Sequence, residues 1–162
     1  MKELKTDSKK ILLIAIGNCG RGDDGLGWNF ADLIQEKTYD LFDIEYRYQL
    51  QVEDTVLISK YDTVLFADAT HSALEDGYEC KPCTAAGHYF FSSHMQSPET
   101  ILYLANDLYN LYPQAYTIAI AGHSWDLNTS LSKEAKNNLE SVFTFFMDEF
   151  LPTISAAVTT EH

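Results

Sequence analysis

Two adjacent carboxylates, Asp23 and Asp24, end a glycine-rich turn that follows a short apolar run at Ile11–Ile16. A turn that binds a nucleotide keeps negative charge away from the phosphate, and glycines 17, 20 and 22 do not have the G-x-G-x-x-G spacing. One carboxylate is enough to cap the helix predicted to follow. The second carboxylate therefore favours a cation ligand or a catalytic acid at this turn.

Two further side chains are candidates to act with Asp24. Asp68 closes the apolar run 64–67, a position where an acid is as often a simple turn former as a ligand. His94 precedes a strong helix start at 97–99, where the positive end of the helix dipole favours a neutral, metal-binding imidazole. Together, Asp24, Asp68 and His94 make a predicted three-ligand site with open positions. Its mixed oxygen and nitrogen donors suit Zn, Ni or Mn.

Other histidines and a pair of cysteines compete with this assignment. His71, three residues after Asp68, could supply the nitrogen instead, whereas His88 and His123 read as surface groups in loops. The C-x-x-C at 80–83 has neither the second pair of a zinc ribbon nor the helix start of a thioredoxin site. The G-x-S-x-G, Walker and H-E-x-x-H motifs are absent from the sequence.

The elements that must position these residues alternate between strand and helix. Strands are predicted at 11–16, 44–50, 63–67, 78–83 and 115–121, and helices at 26–37, 52–59, from 97 to about 111, and along 139–150. Pro82 restricts the fourth strand to an edge or a bulge. Alternation predicts parallel pairing, and hence a three-layer α/β/α sandwich around a mostly parallel sheet of about five strands. Ligands bind beyond the carboxyl ends of such strands, where Asp24 and Asp68 stand.

The length and composition of the chain limit the number of domains and the kinds of partner that we expect. The 162 residues, 46% of them hydrophobic, predict a single domain over 1–162 with an ordered core of about 10–152. With 11 Lys and Arg against 24 Asp and Glu, and a net charge of −13, the chain cannot easily form the large basic patch that nucleic acid or anionic membranes need. A cationic substrate, a metal ion or a basic partner surface is compatible with this charge. The absence of a span-length apolar run, a signal peptide pattern or a disulfide-type cysteine count predicts a cytoplasmic protein.

Several of these segments together resemble the hydrogenase maturation protease family. They are 16–18 with 22–25, 48–53, 66–69, 92–94 and 113–132, and the resemblance extends over about 11–150. It implies an α/β/α fold and an endopeptidase that removes a C-terminal extension from the nickel-loaded large subunit precursor of [NiFe] hydrogenase. The metal-contacting residues of the family map onto Asp24, Asp68 and His94. Cys19, Arg21 and Trp28 depart from the family pattern, which bears on the identity of the substrate.

The resemblance leaves two mechanisms open. The three ligands either touch the nickel of the substrate as a recognition element, or hold a metal that activates water, as in an aspartic-type or metal-dependent endopeptidase. Zn or Cd is expected to substitute for nickel in crystals, and the enzyme is expected to be a monomer. Asp23 either orients the backbone or acts as a base.

Two functions of other classes compete with this reading. One is another hydrolase or a phosphorylase-like enzyme that uses the same strand-end cleft. The other is a non-catalytic metal-binding scaffold whose carboxylates only cap helices.

Overall fold

Strands and helices alternate along the residues that the structure, a computed structural model, describes: 11–38, 40–88 and 96–159. The elements in chain order are β1 (Ile11–Ile16), α1 (Leu26–Thr38), β2 (Phe42–Arg47), α2 (Asp54–Ile58), β3 (Thr63–Thr70), β4 (Tyr78–Pro82), α3 (Pro98–Tyr109), β5 (Gln114–Ala121), α4 (Lys133–Phe145) and α5 (Leu151–Thr159). A 3-10 turn, Gly22–Gly25, leads into α1, and a π-helical turn, Phe146–Phe150, joins α4 to α5. None of the helices formed by these residues combines the length and the hydropathy of a membrane span.

The five strands form one sheet in the order β2-β1-β3-β5-β4. All neighbours are parallel except β4, which pairs antiparallel with β5 at one edge. Pro82 ends this edge strand, where its missing N–H removes no bond from the interior of the sheet. The predicted three-layer α/β/α fold with a mostly parallel sheet is therefore confirmed.

Hydrophobic side chains fill a core on each face of the sheet because successive residues of a strand point to opposite faces. Every residue of β1 is buried: Leu13 packs in the core with α1 and α4, and Leu12 in the core with α2 and α3. Phe146 anchors the first core with no exposed surface, and its ring meets Phe30 edge to face at 5.3 Å. A strand covered on both faces explains why β1 reads as an unbroken apolar run.

The third strand is longer than its apolar run, ending at Thr70 instead of at Ala67. Its backbone stays paired with β5 as far as Thr70 opposite Ala121. Asp68 consequently lies within the strand, two residues before its last residue, and not beyond the end of the strand.

The two cysteines of the C-x-x-C motif lie on opposite faces of the sheet. Cys80 packs against the core that contains α1 and α4, and Cys83 is buried in the other. Burial, with smaller contributions from nearby acids, raises the pKa of each thiol to about 12. Because the thiolate is the reactive and metal-binding form, the pair is part of the packing.

Candidate functional site

The turn after β1 folds back on itself and places Asp24 beside the end of the strand. Gly17 has φ +146°, and a side chain on it would collide with the carbonyl oxygen of Asp24. That same oxygen accepts a hydrogen bond from the Asn18 N–H at 3.1 Å, while the Gly17 N–H donates to the carbonyl of Arg47 at 2.9 Å. Glycine is therefore required at this position, where the two ends of the turn meet.

The buried carboxylate of Asp23 holds this turn in place through hydrogen bonds. Its side chain has no exposed surface, and Oδ2 accepts bonds from the N–H groups of His123 (2.7 Å) and Ser124 (2.9 Å) and from the Ser132 hydroxyl (2.6 Å). Oδ1 accepts the Ser132 N–H at 2.8 Å. Burial on its own raises the pKa of the Asp23 carboxyl, but these four bonds outweigh it and leave the pKa below its ordinary value. A carboxylate enclosed in this way orients the backbone and does not reach a substrate, which argues against Asp23 as a base.

Main-chain bonds add to this brace. The Gly22 N–H donates to the Asn128 carbonyl at 2.6 Å, and the Asn128 N–H donates to the Gly20 carbonyl at 3.0 Å. The Asp23 N–H donates to the Ser124 carbonyl at 2.8 Å. The turn that carries Asp24 is thus tied to the segment between β5 and α4, about a hundred residues along the chain.

Asp24 and Asp68 line the same cavity of about 200 Å³. Asp24 reaches it from the 3-10 turn that follows β1, and Asp68 from the last residues of β3, the parallel neighbour of β1. The cavity is lined by Ile16, Gly17, Asp24, Tyr48, Gln49, Leu50, Asp68, Gln96 and Pro98. A single antiparallel bridge between Leu50 and Gln96 joins its walls. The structure therefore brings together the two acids that the strand-end argument selected.

Burial makes the charged form of both carboxylates unfavourable. It raises the pKa of Asp68 to about 7; the Ala69 N–H bond opposes this shift, and the charge of Asp24 adds a smaller increase. Burial also raises the pKa of Asp24, opposed by the Asn18 N–H and the charges of His71 and Arg21. A cation between the acids would offset this unfavourable energy, and carboxylate oxygen is a ligand for divalent metals. Asp68 can also hold or release a proton near neutral pH, as an acid–base group must.

The third predicted ligand, His94, lies outside the described residues, so the three-ligand site remains a prediction. Among the residues that are described, no group of three His, Cys, Asp or Glu side chains could hold a metal ion. The described part of the chain thus contributes two carboxylates to the cavity. In the sequence, His94 is two residues before Gln96, which lines that cavity.

None of the competing histidines that the structure describes lines the cavity of Asp24 and Asp68, although the charge of His71 acts on Asp24. The exposed His71 ring stacks on Trp125 with centroids 3.7 Å apart and planes 18° apart. His71 and His123 line a second, larger cavity of about 460 Å³ that contains neither Asp24 nor Asp68. His88 is exposed and does not line either cavity. We assign the candidate site to the smaller cavity because both perturbed carboxylates are there.

An aromatic pair beside the cavity was not identified from the sequence. The rings of Trp28 and Tyr48 stack with centroids 5.4 Å apart and planes 19° apart. The Trp28 indole N–H donates to the Arg47 carbonyl at 3.1 Å. The one signal available was the size of Trp28, which is unusual in the first turn of a helix.

The structure of this chain is similar to solved structures of known proteins. Among the similar solved structures is the hydrogenase maturation protease HycI from Thermococcus kodakarensis, at 23% identity and a TM-score of 0.63, with 85% of this chain and 90% of that chain covered. Another is the hydrogenase maturating endopeptidase HybD from E. coli, at 14% identity and a TM-score of 0.63, with 86% and 93% covered. A third is hydrogenase 2 maturation peptidase from a Thaumarchaeota archaeon, at 16% identity and a TM-score of 0.62, with 87% and 97% covered. The chain has the fold of the hydrogenase maturation proteases. The fold that the sequence resemblance implied is therefore confirmed. No family model matches the sequence, and a comparison with curated proteins likewise finds no match.

Proposed function

We propose that this chain is an endopeptidase that removes a C-terminal extension from a nickel-loaded [NiFe] hydrogenase large subunit precursor. The observation that carries the proposal is the pair of carboxylates, Asp24 and Asp68, in one cavity at the carboxyl edge of this sheet. Both are positions that the sequence resemblance matched to metal-contacting residues. The shared fold with known maturation proteases supports the same assignment.

The donor set suits a nickel ion that arrives with the substrate. Asp24 and Asp68 would supply oxygen ligands and His94 a nitrogen, and the charge of the ion would balance the two acids. Hydrolysis adds water to the scissile carbonyl, breaks the C–N bond and leaves the proton on the departing amine. In the free protein the pKa of Asp68 is raised to about 7, so below that value Asp68 holds a proton that it must release to ligate the ion.

The cavity disfavours the alternative enzyme classes. Pockets that enclose whole small-molecule ligands measure about 300–1,000 Å³. At about 200 Å³ the cavity is smaller, which suits one group of a larger polypeptide. Its described lining contains no Lys or Arg to bind the phosphate of a phosphorylase.

The scaffold alternative fits the carboxylates poorly. Asp68 lies within a strand and caps no helix. The 3-10 turn that carries Asp24 has no side-chain capping bond at its N-cap residue, Arg21. Asp68 therefore does not have the capping role that the scaffold alternative assigns to the carboxylates.

The deciding experiment incubates the purified protein with the large subunit precursor, loaded with nickel or nickel-free, and measures fragment masses. We expect release of a C-terminal peptide from the loaded precursor alone. Asp24→Asn, Asp68→Asn and His94→Ala should each abolish it, whereas Asp126→Asn, at an exposed acid, should not. A wild-type protein that leaves the loaded precursor intact, or a fully active Asp68→Asn variant, would refute the proposal.

A further inference from the structure

The geometry points to a substrate-docking platform formed by Tyr48 on Trp28, which takes an apolar side chain of the polypeptide near the scissile bond. This inference rests on the proposed function and deepens it. It also gives a role to Trp28, one of the three residues that depart from the family pattern.

Tyr48 combines two properties that are seldom found together. Its side chain is 70% exposed, and it nevertheless lines the cavity that holds Asp24 and Asp68. An exposed aromatic ring normally loses rotamer freedom when a ligand covers it. Here the ring already lies flat against Trp28, with planes 19° apart, so its position is set before the ligand arrives.

The backbone beneath Tyr48 is also fixed. One carboxylate, that of the buried Asp54, accepts a bond from Arg47 Nε at 3.0 Å and another from the Gln51 N–H at 2.9 Å. Arg47 and Gln51 flank the three residues 48–50 that line the cavity. The Trp28 indole N–H is tied to the Arg47 carbonyl as well, so ring and segment are held by one set of contacts.

The chemistry of the cavity selects the class of side chain. Tyr48 and Pro98 supply the accessible apolar part of the lining, with the nearly buried Ile16 and Leu50 behind them. Gln49 and Gln96 add uncharged amides, and the charges in the described lining are the two acids. An apolar side chain beside the scissile peptide would cover the Tyr48 ring and leave the carboxylates to the metal. Aromatic rings contribute large apolar area at low entropic cost, which makes them effective anchors for peptides.

The test compares steady-state processing of nickel-loaded precursor by matched variants. Tyr48→Ala should raise KM about tenfold or more, as expected when a large apolar contact is lost, with kcat within about twofold. Tyr48→Phe should restore the wild-type KM, since the ring carries the contact. Tyr112→Ala is the control: its side chain is 69% exposed but lies before β5, at the opposite end of the sheet.

The outcomes separate the two proposals. If the wild type cuts the precursor and Tyr48→Ala has an unchanged KM, the platform is refuted and the proposed function stands. A Tyr48→Ala variant that loses kcat alone also refutes docking. If the wild type leaves the precursor uncut, the proposed function fails and the platform fails with it.

Discussion

Replacing Asp68 by Asn should stabilise the free protein, and increasingly so as the pH rises. Burial and the neighbouring Asp24 charge raise the pKa of Asp68 from 3.8 to about 7. Between pH 3.8 and about pH 7, the Asp68 carboxyl therefore keeps its proton in the folded state but has released it in the unfolded chain. The contribution of Asp68 to stability is accordingly highest below pH 3.8 and is lost as the pH rises through 7. Asn has nearly the same shape and can still accept the Ala69 N–H, but it carries no charge.

The size of the effect follows from the two pKa values. A difference of one in pKa corresponds to 1.36 kcal/mol, so raising the value from 3.8 to about 7 gives about 4 kcal/mol as an upper bound. Since part of the Asp68 side chain reaches solvent, we expect the variant to gain about 2–4 kcal/mol at pH 8. Between pH 5.5 and 7 the advantage should grow by at most about 1.4 kcal/mol per pH unit.

Urea denaturation followed by circular dichroism measures this difference. The pH series should run from 5.5 to 8.5, above the sequence pI of about 4.5, where the protein carries enough charge to stay dissolved. Subtracting the wild-type free energy of unfolding from that of the variant cancels the groups they share. Asp126→Asn, an exposed acid, should show no such trend. A variant that is less stable at pH 8, or a difference that does not change with pH, would refute the reasoning.

Three further outcomes are expected. Asp23→Asn should lower the free energy of unfolding by about 3 kcal/mol or more, because hydrogen bonds to a charged group contribute roughly 1.5–3 kcal/mol each. If urea denaturation shows a loss equal to that of Asp126→Asn, the bonds of Asp23 do not stabilise the turn. Cys80 and Cys83, in variants that retain one of the pair and lack Cys19, should resist a thiol reagent at pH 8 in the native state and react on unfolding. Fast native labelling would show that they are accessible thiolates. Zn²⁺ binding to the free wild-type protein, measured by calorimetry, should weaken by up to about tenfold per pH unit below pH 7, because Asp68 must lose its proton to ligate; a constant affinity from pH 6 to 8 would exclude it as a ligand.

Local sequence predicted those elements whose local signals agree with their tertiary environment. β1 has its predicted bounds because six consecutive apolar residues suit a strand covered on both faces. α3 starts where predicted because the Ser97 side chain caps it, accepting from Thr100 N, with Pro98 next. The outer end of α3 shows the limit of periodicity: the helix was predicted to about 111 but ends at Tyr109, and Leu108 in its last turn is 58% exposed.

The residues of the candidate site also differ in how far the sequence could predict them. Asp24 and Asp68 could be placed at one edge because parallel strands in one sheet present their carboxyl ends together. The brace at Asp23 could not, since its partners are mostly backbone N–H groups about a hundred residues away, which have no sequence signature. The Trp28 and Tyr48 stack also depends on the register of β2 beside β1, which residue types alone do not specify.

The supports of the candidate site are separate, and this matters for how it would work. Asp23 ties the turn of Asp24 to the segment before α4, whereas Asp54, on α2, and Trp28, on α1, hold the segment of Tyr48. Between them the fold keeps two partly buried carboxylates close together at an energetic cost in the free protein. On the proposed function, a precursor that brings its nickel offsets this cost and one without nickel does not. The cost of burying these charges in the free protein would then discriminate loaded from unloaded precursor, with no moving part required.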